Sequence, residues 1–273
     1  YVAHGAEQIF LYFDGSADHL DLRLPPHAEL ISCDDAFWSS DGRTGRPSEI
    51  VPTQRLIFTE AYRRVQSDWL LACDADELVY GDGMIESLQT IPDHVEYVRV
   101  PPVEAVWSPG HDLNTPFSSP IFRAPTRRYF GKLVSSLLYG DKAKVFPRGI
   151  ISHHMGKSFF RRGVIEAGIG PHFPLDKTAD DGVWWSDVVR GPRVRVFHYD
   201  AISMARWKVK LAGRIDGSRR SKMTLPWQEA MLKMYVAYSQ EGREEELFRD
   251  LYVLSGTQQR FLKTFGLLVE KPF

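Results

Sequence analysis

The run WLLACDADELVY, Trp69 to Tyr80, sets the tightest limit on what this chain can become. Trp69, Leu70, Leu71 and Ala72 have the continuous apolar character of a strand buried on both faces. Asp74, Asp76 and Glu77 follow at once, and Leu78, Val79 and Tyr80 then restore the apolar pattern. Carboxylates crowded at the end of a buried strand repel one another unless a positive charge sits among them. Read as a continuing strand, the segment puts Asp74 and Asp76 on one face and Ala75 on the other. A divalent cation with oxygen ligands, Mg2+ or Mn2+, relieves the repulsion and also binds phosphates.

The neighbouring segments repeat the arrangement. EQIFLYF (7–13) stops at the turn formers DGSAD, and AELISC (28–33) stops at Asp34 and Asp35. PTQRLIFTEAYRRVQ (52–66) reads as a helix with Pro in its first turn. Buried strands alternating with a helix predict an α/β fold with a mixed, mostly parallel sheet flanked by helices. Ligands of such sheets bind beyond the carboxyl ends of the strands, which would gather Asp14, Asp34, Asp35, Asp74 and Asp76. EYVRVPPVEAVW (96–107) reads as a strand bent at Pro101-Pro102, and residues 108–130 as loop. GIISHHMGKSFFRRG and PRVRVFHYD each carry a further strand, and from Ala201 the pattern turns helical. The expected division is a domain over 1–224 and a helical C-terminal extension over 225–273.

Composition narrows the function. A formal net charge of −1 gives no reason to expect a nucleic-acid partner, and Arg161-Arg162 and Arg219-Arg220 read as solvated surface. The two cysteines, Cys33 and Cys73, close apolar runs and suit buried reduced thiols of a cytoplasmic protein. No stretch approaches the roughly 20 apolar residues of a membrane span. The opening YVAHGAEQ reads as the end of a helix, which implies further residues upstream.

DWLLACDADELVY resembles the Asp-x-Asp strand of GT-A glycosyltransferases, in particular a bacterial family-2-like branch with an Asp-x-Asp-Glu motif. IFLYFDGSAD is similar to that family's second strand and turn, and FWSSDGRTGRPSEIVPTQRLIFTEAYRR to its loop and Gln-Arg helix. SHHMGKSFFRRG, GPHFP and VFHYDAISMARWKVKL resemble its later Gly-Lys, His and His-Tyr segments, in the same order. The likeness spans residues 1–220. The family's first strand would precede Tyr1, and Leu78 stands where the branch has Phe.

The resemblance implies a GT-A (Rossmann-like) sheet and a cytoplasmic, metal-dependent glycosyltransferase. Such an enzyme moves a sugar, with inversion, from a nucleotide-diphosphate sugar to a saccharide or lipid-linked acceptor, with room for peripheral association with the inner membrane face. It implies Mn2+ or Mg2+ on Asp76, with Asp74 at the metal's water shell or the donor ribose and His198 as a third ligand. Asp14, Asp35 and Gln54 become donor-binding candidates. Lys157, a flexible ammonium beside a glycine, becomes a diphosphate contact, and His172 an alternative metal ligand. Inversion needs a general base; Glu104 is the candidate, with Asp112, Asp180 and Asp181 as rivals. A sugar nucleotidyltransferase is the alternative enzyme class, but no segment supplies its glycine-rich, Arg/Lys-bearing phosphate loop. A non-catalytic carbohydrate-binding protein on the same scaffold would not need the acids.

Overall fold

The computed structural model describes the chain except for residues 41, 179, 192, 218–224 and 273. The Arg219-Arg220 run and the expected boundary at 224 therefore lie outside the described residues. Strands β1 (Ile9–Phe13) and β2 (Ala28–Ser32) precede helices α1 (Asp35–Ser39) and α2 (Ile50–Arg64). Next come β3 (Trp69–Ala72), β4 (Glu77–Tyr80), α3 (Met84–Leu88), β5 (Tyr97–Val100), β6 (Pro102–Val106) and β7 (Ile121–Arg123). Helix α4 (Gly131–Tyr139), β8 (Lys157–Arg161), β9 (Val183–Trp184), α5 (Trp185–Val188) and β10 (Arg195–His198) follow. The chain ends in α6 (Met204–Ile215), α7 (Pro226–Gln240), α8 (Glu244–Tyr252), α9 (Gly256–Thr264) and β11 (Leu268–Glu270).

Two compact units emerge, both discontinuous in sequence. Unit 1 comprises residues 1–72, 81–100 and 157–193; unit 2 comprises 73–80, 101–156 and 194–273. Pro101, which cannot donate to a ladder, ends β5 in unit 1, and β6 starts one residue later in unit 2.

Unit 1 holds the parallel pair β1–β2 and a four-stranded sheet in the order β3-β8-β5-β9. Strand β8 is antiparallel to both β3 and β5, while β5 and β9 are parallel. Helix α2 buries Phe58 and Tyr62 against Leu70, Ala72, Tyr97 and Phe160. The Tyr62 hydroxyl donates to the Arg161 carbonyl at 2.6 Å and accepts from Ile165 N–H at 3.1 Å, tying the helix to the segment after β8.

Unit 2 holds a five-stranded sheet in the order β11-β7-β6-β10-β4, in which only β6 and β10 run parallel. The architecture is thus mixed α/β, and the expectation of mostly parallel sheets is corrected. Burial pattern reveals that a strand is covered on both faces but carries no information on direction, which the returning strands β8 and β10 set. The core of unit 2 gathers Trp107, Phe146, Trp207, Leu247, Phe248 and Tyr252. Residues 225–273, expected as an extension, contribute Met231, Tyr235, Leu251 and Leu262 to that core and belong to unit 2. Trp107 N–H donates to the Tyr252 carbonyl at 2.8 Å, and Leu254 N–H to the Trp107 carbonyl at 2.9 Å. Among the described residues no helix is long and apolar enough to cross a membrane.

Candidate metal centre

Residues paired directly across neighbouring strands project to the same face of a sheet. In unit 2, His198 of β10 pairs with Glu77 of β4 on one side and with Glu104 of β6 on the other. Glu104 pairs in turn with Arg123 of β7. Glu77, His198, Glu104 and Arg123 therefore form one ionisable row across the sheet, and all four are buried. The segment 151–153 lies along this row. Ile151 and Ser152 N–H groups donate to Glu104 Oε1 at 3.1 and 2.5 Å, which fixes the backbone. The next residue, His153, brings Nε2 to 3.5 Å from Glu77 Oε1 and its ring centroid to 5.2 Å from that of His198.

One ligand atom from each of Glu77, His153 and His198 thus lies within 4.8 Å of the other two. The His198 side chain is 8% exposed, and its Nδ1 has no hydrogen-bond partner among the described residues. Such a buried orphan is costly unless a ligand relieves it. Two imidazoles and a carboxylate suit Mn2+ or Zn2+ better than Mg2+, which demands oxygen donors. The residues fit a divalent cation.

The acidic motif differs in detail from the strand expected. Residues 74–77 form a turn closed by Glu77 N–H on the Asp74 carbonyl at 3.1 Å, so strand alternation does not align Asp74 with Asp76. Glu77 Oε2 accepts the Asp74 N–H at 2.9 Å, and Asp76 Oδ2 stands 3.9 Å from His198 Nε2. Burial pushes the Asp76 carboxyl up, against the pull of His198 and Lys210. Beyond β10, Asp200 accepts from Lys210 Nζ at 2.7 Å and from the Tyr252 hydroxyl at 2.9 Å. Burial alone would raise Asp200; Lys210 and His198 override it and hold the carboxyl well below its usual range.

Glu104 does not fit the role of general base. It is 0% exposed and bound by Arg123 Nε at 2.6 Å and Nη2 at 2.5 Å in addition to the two N–H groups. A saturated carboxylate out of contact with solvent has no route to an acceptor hydroxyl. Among its rivals, Asp112 is held below the usual range by Thr115 and Asn114, and Asp181 by Thr178. Asp180 is exposed.

The remaining candidates belong to unit 1. Asp14, just past β1, is exposed and ion-paired with Arg46. Asp34 caps α1 by accepting from Phe37 N–H at 2.9 Å, and Asp35 is exposed in that helix's first turn. Gln54 is half-buried on α2, while Arg55 lines a groove of about 1010 Å³ with Arg43, Arg46, Glu60 and Arg63. Lys157, expected as a diphosphate contact, is fully buried on β8, opposite Val100. His172 uses its carbonyl to accept from the Ser158 hydroxyl and is not one of the converging ligands.

Of the three expected metal residues, Asp76 and His198 come together, whereas Asp74 serves the turn. Glu77 and His153 were not expected. The signal for Glu77 was a carboxylate heading the apolar run Leu78-Val79-Tyr80, since an acid in a buried strand requires a partner. Comparisons of the chain with protein-family models, with curated proteins and with solved structures found no match.

Proposed function

We propose that the chain is a metal-dependent glycosyltransferase on a GT-A-like sheet, moving a sugar with inversion from a nucleotide-diphosphate sugar to a saccharide or lipid-linked acceptor. The observation that supports this reading is the convergence of Glu77, His153 and His198 beside Asp76, of which Asp76 and Glu77 belong to the segment that resembles the family's Asp-x-Asp-Glu. Glu77, His153 and His198 would hold the ion, with Asp76 close to His198. A bound divalent cation supplies charge that stabilises a leaving nucleoside diphosphate. The resemblance alone nominates Asp14, Asp35 and Gln54 as donor-binding residues. The donor set itself favours one rival: two histidines and a glutamate also make a hydrolytic zinc site.

The two readings separate in one titration. Calorimetry of the full chain with Mn2+ and then UDP, GDP or CDP should show nucleotide binding that requires the metal and disappears in His198→Ala. A nucleotide-sugar hydrolysis screen with Mn2+ should then reveal the donor. Metal binding with no nucleoside diphosphate bound at about 1 mM, well above typical affinities for such ligands, would leave the zinc reading standing and remove the transferase.

A further inference from the structure

Helix α4 of unit 2 has its polarity reversed. Its inner side is fixed tightly: Ser135 Oγ donates to the Phe146 carbonyl at 2.6 Å, and Tyr139 stacks on Phe146 with centroids 3.7 Å apart. A Cβ at Gly131 would meet the Pro147 carbonyl oxygen at 2.8 Å, so the helix start is pressed onto backbone. Its outer side should then be polar. Instead Phe130, Leu133 and Leu137, at positions i, i+3 and i+7, are 58%, 59% and 65% exposed, and Tyr129 before them is 94% exposed. Arg127 and Lys132 are exposed beside this stripe. From Ala124 to Gly140 the sequence contains cations and no acid.

We infer that the face made by Tyr129, Phe130, Leu133 and Leu137 docks on an anionic lipid bilayer, with Arg127 and Lys132 set against the lipid phosphates. An aromatic and leucine stripe with cations at its margin is the composition of a helix lying in the interface plane. A second copy of the chain fits less well. A two-fold contact uses the same patch on both partners and would bring the Arg127 and Lys132 pairs of both copies together. Four side chains also fall short of the roughly 800 Å² per partner of a stable interface. The inference does not depend on the transferase reading, because α4 contributes no ligand to the metal centre.

Vesicle sedimentation of the full chain tests it. Vesicles of phosphatidylcholine with about 30% phosphatidylserine should carry the protein down, pure phosphatidylcholine should carry less, and added salt should weaken binding. The double variant Leu133→Ser/Leu137→Ser should lose on the order of tenfold or more in partitioning, and Lys132→Glu should lose binding to the anionic vesicles selectively. All three side chains are exposed, so thermal melting should be unchanged and confirms that the variants fold. Equal sedimentation of wild type and double variant, or none for either, overturns the proposal. So does a dimer in light scattering that the double variant abolishes.

Discussion

The row across the sheet of unit 2 has two ends, and they have opposite characters. Glu104 and Glu77 are both buried carboxylates, each paired in register with His198. At the Glu104 end both oxygens are engaged: Arg123 grips Oε2, and the Ile151 and Ser152 N–H groups donate to Oε1. Arg123 Nη1 also donates to the Tyr139 hydroxyl and the Leu251 carbonyl, at 3.0 and 2.9 Å. Burial would lower the Arg123 pKa; Glu104 reverses this and keeps the guanidinium firmly charged. At the Glu77 end, His153 Nε2 stands 3.5 Å from Glu77 Oε1, and ligand atoms of Glu77, His153 and His198 lie within 4.8 Å of one another, a spacing that suits a shared ion. Contact with a guanidinium and two backbone N–H groups marks Glu104 as structural, and convergence with two imidazoles marks Glu77 as the candidate ligand.

The largest consequence is expected at the closed end. Glu104→Gln strands the Arg123 charge in the core, which costs about 3–5 kcal/mol for a broken buried pair. Urea unfolding measures it. Because Glu104 also anchors Ile151 and Ser152, the variant should loosen His153 and weaken Mn2+ binding by about tenfold, the scale of a lost supporting contact. A stability loss under about 1 kcal/mol would erase the distinction between the two ends.

At the open end the balance inverts. Glu77→Gln and His153→Ala should each lower Mn2+ affinity by more than about 100-fold, beyond the effect of a supporting contact. Stability without metal should change by about 1 kcal/mol or less, since Gln at 77 still offers an oxygen to the Asp74 N–H. Calorimetry with Mn2+ alongside urea unfolding of the same variants reads both quantities. If Glu77→Gln unfolds the protein as readily as Glu104→Gln, Glu77 is a structural residue and the metal centre is lost.

Much of this was legible in the chain, and the boundary of legibility is physical. β1, β2 and β3 announce themselves because each apolar run stops at turn formers or acids, a local signal. Asp76 and His198, paired as candidates in the sequence, stand 3.9 Å apart in the structure. Strand direction was not legible, since β8 inserts antiparallel between β3 and β5 from a distant part of the sequence. The burial of Lys157 and Glu104 was not legible either, since it is set by strands distant in sequence that pair on either side of them. His153 was hidden because its position depends on two backbone N–H groups meeting Glu104, a contact no local pattern encodes.

The smallest effect sharpens the comparison most, because it touches the closed end without breaking it. Tyr139→Phe removes the hydroxyl that accepts from Arg123 Nη1 but keeps the ring that stacks on Phe146 at 3.7 Å. The loss should be about 0.5–1.5 kcal/mol, the net worth of one hydrogen bond, with Mn2+ affinity unchanged. A pH dependence accompanies it. Burial raises the Tyr139 pKa, more than Arg123 lowers it, whereas the unfolded phenol ionises near its ordinary value of about 10. Above that pH the unfolded chain binds fewer protons than the folded one, so stability falls as pH rises. The contribution is fully present below about pH 10 and is lost on approach to the raised folded value. Tyr252 is raised in the same way and preserves part of the slope in the variant. Tyr139→Phe should therefore flatten the decline above pH 10 without removing it; identical slopes would mean that the hydroxyl is not held inside the closed end.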